Sequence, residues 1–241
     1  MIKKAAVILL VLLLLSACFP VQKSGSADAF DRHLQAGLAK MLKKDLAAAR
    51  QEFLLALNLN PRSTRVLNLL GLTYFREQNY DLAEMYFLRA IKIDPEFNLG
   101  YLNLGGVYAM KQLYARSREY YERALSLNPD LTAAYYSLGA VCFQLGDDAA
   151  ALEYLSRGLE RDPYFLEKHP DSLAGLPMKG GSLAGLYFSF ARLYASRQDV
   201  DRTVEYLKKA KQAGFKDWER IARDSEFEKI RDNPVIREFL K

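Results

Sequence analysis

Four side chains in this chain are imidazoles or thiols: His33, His169, Cys18 and Cys142. They are scattered, and with them come no HExxH, no GxSxG and no clustered Cys and His spacing, so neither a metal site nor a nucleophile triad assembles. The adjacent carboxylates Asp147 and Asp148 fall in a turn between helical patterns, where Asp favours capping. Gly175 to Gly181 approaches the spacing of a phosphate-cradling loop, but Gly181 stands where the lysine belongs and no strand precedes it. The chain is therefore expected not to be an enzyme and to need no metal or cofactor.

Cys18 has a different context. Lys3 and Lys4 precede an unbroken apolar run from Ala5 to Leu15, the order of an export signal. A helix that crosses a bilayer needs about 20 apolar residues, and this run is too short. It ends in Leu15-Ser16-Ala17-Cys18, which resembles the lipobox of bacterial lipoproteins. The resemblance implies that residues 1–17 are removed and that Cys18 is lipidated on its thiol and on its new amino group. Each buried methylene contributes about 0.8 kcal/mol, so several acyl chains hold where one is marginal. Phe19, rather than Asp, follows the cysteine, which by the same resemblance favours the outer membrane of the cell envelope. Residues 18–29 read as a flexible tether.

Removal of Lys3 and Lys4 lowers the formal net charge from +5 to +3. No basic stripe with interleaved aromatics is present, so nucleic acid is not an expected partner.

The elements behind these residues follow from a strict period. Pro61, Pro95, Pro129 and Pro163 are each 34 residues apart and close the phrases ALNLNP, AIKIDP, ALSLNP and GLERDP. Proline lacks an amide hydrogen and fixes φ, so each ends one helix and sets the turn into the next. Registered on the prolines, repeats begin at Phe30, Thr64, Asn98 and Thr132. In the second, Leu67, Leu70, Gly71, Tyr74, Ala83, Phe87, Ala90 and Pro95 fill eight recurrent slots. The third has Tyr101, Leu104, Gly105, Tyr108, Ser117, Tyr121, Ala124 and Pro129. The fourth puts Cys142 in an aromatic slot, where a thiol acts as a small hydrophobe. The first departs most, with His33 where the next repeats hold Leu67 and Tyr101 and Lys40 where they hold Tyr74 and Tyr108, as terminal repeats commonly do.

This pattern resembles the tetratricopeptide repeat. The resemblance implies an all-α chain: a right-handed α-solenoid of about five helix hairpins, each a helix A and a helix B, with a C-terminal helical cap. Residues 30–165 hold four repeats. A Pro- and Gly-rich insertion follows at 166–183, and a fifth repeat begins at Ala184 and runs to residue 213. The cap spans 214–241, with Trp218, Ile221, Phe227, Ile230, Ile236, Phe239 and Leu240 at helical spacing and a turn at Asp232-Asn233-Pro234.

In such repeats helix A builds the inner face. Its positions between the slots include Leu34, Leu38, Leu69, Leu72, Phe75, Leu99, Leu102, Met110, Tyr136, Phe143 and Phe188, with Arg65, Asn68, Arg76, Asn103 and Arg192 as polar anchors. An apolar groove of this kind accepts an extended peptide or an amphipathic helix of another protein. The resemblance implies a membrane-anchored binding scaffold. The first candidate role is pilotin-like assembly of a pilus or secretion pore; the second is an adaptor that gathers envelope enzymes such as peptidoglycan hydrolases or proteases.

Overall fold

A computed structural model of the chain describes residues 23–168 and 182–240. Cys18 and the signal segment lie outside them, as do His169 and most of the expected insertion.

Helix α1 (Lys23–Leu42) pairs with α2 (Leu46–Leu59), α3 (Thr64–Arg76) with α4 (Tyr80–Ile93), α5 (Asn98–Met110) with α6 (Tyr114–Leu127), and α7 (Thr132–Gln144) with α8 (Asp148–Arg161). The helices α3, α5 and α7 start 34 residues apart, and so do α2, α4, α6 and α8. A short α9 (Phe165–Lys168) follows, then a fifth hairpin of α10 (Ser182–Ser196) and α11 (Val200–Gln212). The cap is made of α12 (Arg220–Arg223), a 3-10 turn at Ser225–Phe227, α13 (Pro234–Arg237) and a second 3-10 turn at Glu238–Leu240. No strand occurs among the described residues.

Two periodic devices shape the turns. Before each proline, the Oδ1 of Asn60, Asp94, Asn128 and Asp162 accepts the amide hydrogen two residues on, at 3.0–3.3 Å. This Asx turn offers the backbone a substitute for the helix it has just left. Inside the hairpins, Lys44, Gln78, Gln112, Gly146 and Gln198 take left-handed φ values of 59° to 78°. That reversal lets the next amide, from Asp45, Asn79, Leu113, Asp147 or Asp199, reach back to a carbonyl near the end of helix A. Asp45, Asn79, Asp147 and Asp199 then cap helix B through their side chains at 3.0–3.2 Å, whereas Leu113 has no group to do so.

Helix A and helix B approach so closely that a Cβ added to Gly37, Gly71, Gly105 or Gly139 would lie 2.4–2.5 Å from Phe53, Phe87, Tyr121 or Leu155. The missing side chain of one helix is thus the seat of a large one on the other. Stacking these seats builds the core, which is close-packed.

The chain forms two compact units, one up to Ile93 and one from Asp94. The core of the first includes Phe53, Leu67, Leu70 and Phe87, all fully buried. In the second, Leu155, Leu159, Leu186, Phe188 and Phe190 join Ile221, Phe227 and Ile236 of the cap in one cluster.

Two boundaries differ from expectation. Helix α1 starts at Lys23, ahead of Phe30, so residues 23–29 are helical rather than part of a tether. No proline lies between Lys23 and Phe30 to stop the helix from extending backwards, and Arg32 secures that turn by donating to the Asp28 carbonyl at 3.4 Å. Helix α10 starts two residues before Ala184, within the usual fraying of helix ends.

Candidate functional site

The helix-A face of the first unit comes from α1 and α3. Arg65 and Arg76 are exposed at the two ends of α3, and Leu69, Leu72 and Phe75 are half-buried between them. Phe75 is steadied by an edge-on contact with Tyr80, ring centres 5.5 Å apart. Leu34 and Asn68 turn inwards and are 2% and 8% exposed, so neither belongs to an open groove. On α1 only Leu38, half-buried, remains of the expected apolar row.

In the second unit α5 presents Leu99, 40% exposed, and Leu102, Asn103 and Met110, each half-buried. Leu102 also rests on the cluster of Ala109, Tyr121, Leu138 and Val141, so its ring of contacts holds it in place. Phe143 of α7 is half-buried, and its ring lies where a Cβ on Gly185 would sit. A side chain at Gly185 would push Phe143 away.

Tyr136 and Phe188 were expected to face a partner, and both are 1% exposed. Helix α9 follows directly on the fourth hairpin and stacks Phe165 on Tyr136, ring centres 4.9 Å apart, while the tyrosine hydroxyl donates to the Asp162 carbonyl at 3.0 Å. Burial pushes the Tyr136 phenol well above its ordinary value. Phe188 is covered by the cap: Phe215 stacks on it at 4.2 Å and Phe227 at 5.7 Å. Arg192, one turn along α10, pairs with Asp224 at 3.2 Å and Glu226 at 2.9 Å. Arg220 adds to the same latch, close to Asp148 and Asp224. The cap therefore occupies the helix-A face of the fifth hairpin, and the open face of this unit belongs to α5 and α7.

The two odd slots of the first repeat form one cluster. His33 Nδ1 lies 2.7 Å from one Glu52 oxygen, and Lys40 Nζ donates to the other at 2.8 Å. The hydrogen bonds from Lys40 and His33 hold the Glu52 carboxyl below its ordinary value. Cys142 is fully buried, and burial pushes its thiol up to about 11, which keeps it protonated and unreactive. Among the described residues no group of His, Cys, Asp and Glu is placed to hold a metal ion, and no helix is long and apolar enough to cross a membrane.

Family models of the tetratricopeptide repeat match residues 64–97 and 97–163. The chain carries tetratricopeptide repeats. Solved structures share the tetratricopeptide fold across most of the chain. PilF of Pseudomonas aeruginosa aligns with a TM-score of 0.56 at 20% identity, over 86% of this chain and 98% of its own. MamA aligns at 0.52 and 23% identity, covering 78% and 97%. YrrB, described as a tetratricopeptide protein with an unusual peptide-binding site, aligns at 0.51 and 20%, covering 76% and 84%. No curated protein matches this chain in sequence.

The sequence did not reveal Asp224 and Glu226 as the partners of Arg192. An arginine on an otherwise apolar helix face, followed by an acidic pair in the cap, was the available signal.

Proposed function

We propose that this protein is a lipid-anchored scaffold of the cell envelope, with the outer membrane favoured, that holds a partner by an extended peptide or an amphipathic helix laid on its tetratricopeptide helix-A faces. The observation that carries the reading is the row Leu99, Leu102, Met110 and Phe143 on α5 and α7, apolar and partly open beside Asn103. Side chains so held lose little freedom when a partner covers them, which lowers the cost of binding. Arg65 and Arg76 stand at the ends of the corresponding row in the first unit, where they can orient a backbone or carboxylate. The peptide-binding site described for YrrB supports the same use of this fold.

Affinity capture by the full chain from detergent-solubilised envelope tests this. Leu102→Glu and Phe143→Ala should keep the helical circular-dichroism signal and lose the partner, since aromatic and apolar anchors commonly contribute about 2 kcal/mol or more. Unchanged capture by folded variants would move the site elsewhere, with the segment 167–182 next in line. Recovery of secretin rings would support the pilotin-like role, to which the fold shared with PilF lends weight. Recovery of soluble hydrolases or proteases would support the enzyme adaptor instead.

A further inference from the structure

The helix-B layer of the first unit is apolar on its outer side. Leu55 and Leu59 of α2 are 46% and 44% exposed, and Met85 and Leu88 of α4 are 47% and 38% exposed. Leu59 shares its slot with Ile93 and Leu127, but the other three large side chains are not required by the repeat. The slots of Leu55, Met85 and Leu88 hold Arg123 and Arg157, Glu119 and Glu153, and Glu122 and Ser156 in the third and fourth repeats. The repeat thus tolerates charge there, and in the first two repeats these slots hold one charge, Arg89, beside Gln51, Leu54, Leu55, Met85 and Leu88.

The two helices both pack against α3 and meet at one end. Arg89 of α4 donates to the Pro61 carbonyl at the end of α2, at 3.0 Å. Arg50 of α2 covers the ring of Tyr74, on whose other contact Tyr86 of α4 stacks at 5.4 Å. Exposed Arg62, Arg89 and Lys92 surround the end of this layer at Leu59. Asp81 and Glu84 of α4 belong to its first turns, at the other end, while Asp94 and Glu96 follow Lys92 at this one.

The start of α1, which carries exposed Asp28, Asp31 and Arg32, lies at that same end. His33 meets Glu52 and Gly37 meets Phe53, so α1 runs antiparallel to α2, and its first turns pass Leu59. Lys23 is five residues after Cys18. Five residues reach at most about 18 Å even when fully extended. If Cys18 carries acyl chains, Lys23 is held within that distance of the lipid surface, and Leu59 lies about two helical turns further along α1.

We propose that Leu55, Leu59, Met85 and Leu88 dock on the membrane itself, with Arg62, Arg89 and Lys92 against anionic lipid headgroups. The first unit is then a foot that lies on the bilayer, not a body swinging on a tether. An apolar face rimmed by basic side chains is the pattern that rests in the interface between headgroups and acyl chains. The proposal depends on lipidation of Cys18, and the test separates the two.

The probe is an environment-sensitive nitrobenzoxadiazole dye on a Leu59→Cys variant of the full lipoprotein, reconstituted on vesicles of phosphatidylethanolamine and phosphatidylglycerol. Cys142 is fully buried and Cys18 is blocked by lipid, so the new thiol is the one labelled. Docking predicts a blue shift of the dye emission and its quenching by spin-labelled lipid, both reduced on vesicles of phosphatidylcholine alone. Adding Leu55→Glu and Leu88→Glu should abolish the shift while the protein still floats with the vesicles. A dye that stays water-exposed on floating protein overturns the docking and leaves lipidation standing. A shift that appears without vesicles and grows with protein concentration assigns the face to a second copy of the chain and likewise overturns it. Failure to float at all removes the lipid anchor and the docking together.

Discussion

At the scale of single residues, the glycines facing helix B show how little room the fold leaves. A methyl group on Gly71 would overlap the ring of Phe87 at 2.4–2.8 Å, so Gly71→Ala should destabilise the first unit by about 1–3 kcal/mol in urea unfolding. Gly158 sits in the slot that holds Ala56, Ala90 and Ala124 in the other repeats, and a Cβ added there would meet the Tyr136 ring at 3.1 Å. Gly158→Ala gains helix propensity of about 1 kcal/mol against a small ring shift, so it should be close to neutral in the same assay. Glu52 provides a second residue-scale expectation. Its folded carboxyl is held below the ordinary 4.5 by Lys40 and His33, so the folded state binds fewer protons than the unfolded one. Its contribution is present above about pH 4.5 and fades as pH falls through the lowered value. Glu52→Gln should therefore lower stability near neutrality and flatten the part of the acid-unfolding curve below that pH, followed by circular dichroism.

At the scale of elements, the hairpins share one turn and differ in how well it is capped. Asp45, Asn79, Asp147 and Asp199 each cap helix B with a side-chain oxygen, and Leu113 leaves those amides to solvent while exposing 45% of its own surface. Leu113→Asp should raise the thermal midpoint, with a gain of about 1 kcal/mol. An unchanged or lower midpoint would mean that Leu113 contributes apolar contacts worth as much as a cap. The first hairpin solves a related problem at the array's beginning. The His33 and Lys40 side chains are about one-third exposed, and a cluster with Glu52 suits them better than the leucine and tyrosine side chains of later repeats. Their departure from the repeat was legible in the sequence, but Glu52 as their common partner was not, because residues 19 and 12 positions apart meet only after the hairpin closes.

At the scale of the whole molecule, the anchor and the two helix-A faces make one functional proposal. Cys18→Ser should abolish incorporation of labelled palmitate and leave an unprocessed or soluble product; equal labelling of the variant would place the lipid elsewhere. The second unit also decides where a partner has space. Its cap spends Phe215, Phe227, Asp224 and Glu226 on Phe188 and Arg192, which closes the fifth hairpin's inner face and leaves α5 and α7 open.

The sequence by itself determined the hairpins, because their causes are local: proline every 34 residues, glycine opposite a large apolar side chain, and in four of the five hairpins an acid or amide at the start of helix B. Each acts within one repeat, so reading along the chain is enough to find it. Only the tertiary structure decided which helix-A residues remain open. Leu34, Asn68, Leu102, Tyr136 and Phe188 share one slot, yet only Leu102 stays half-buried, and over Tyr136 and Phe188 the cover comes from α9 and the cap, which obey no repeat. Burial depends on what arrives from elsewhere in the chain, and the 34-residue period carries no record of that.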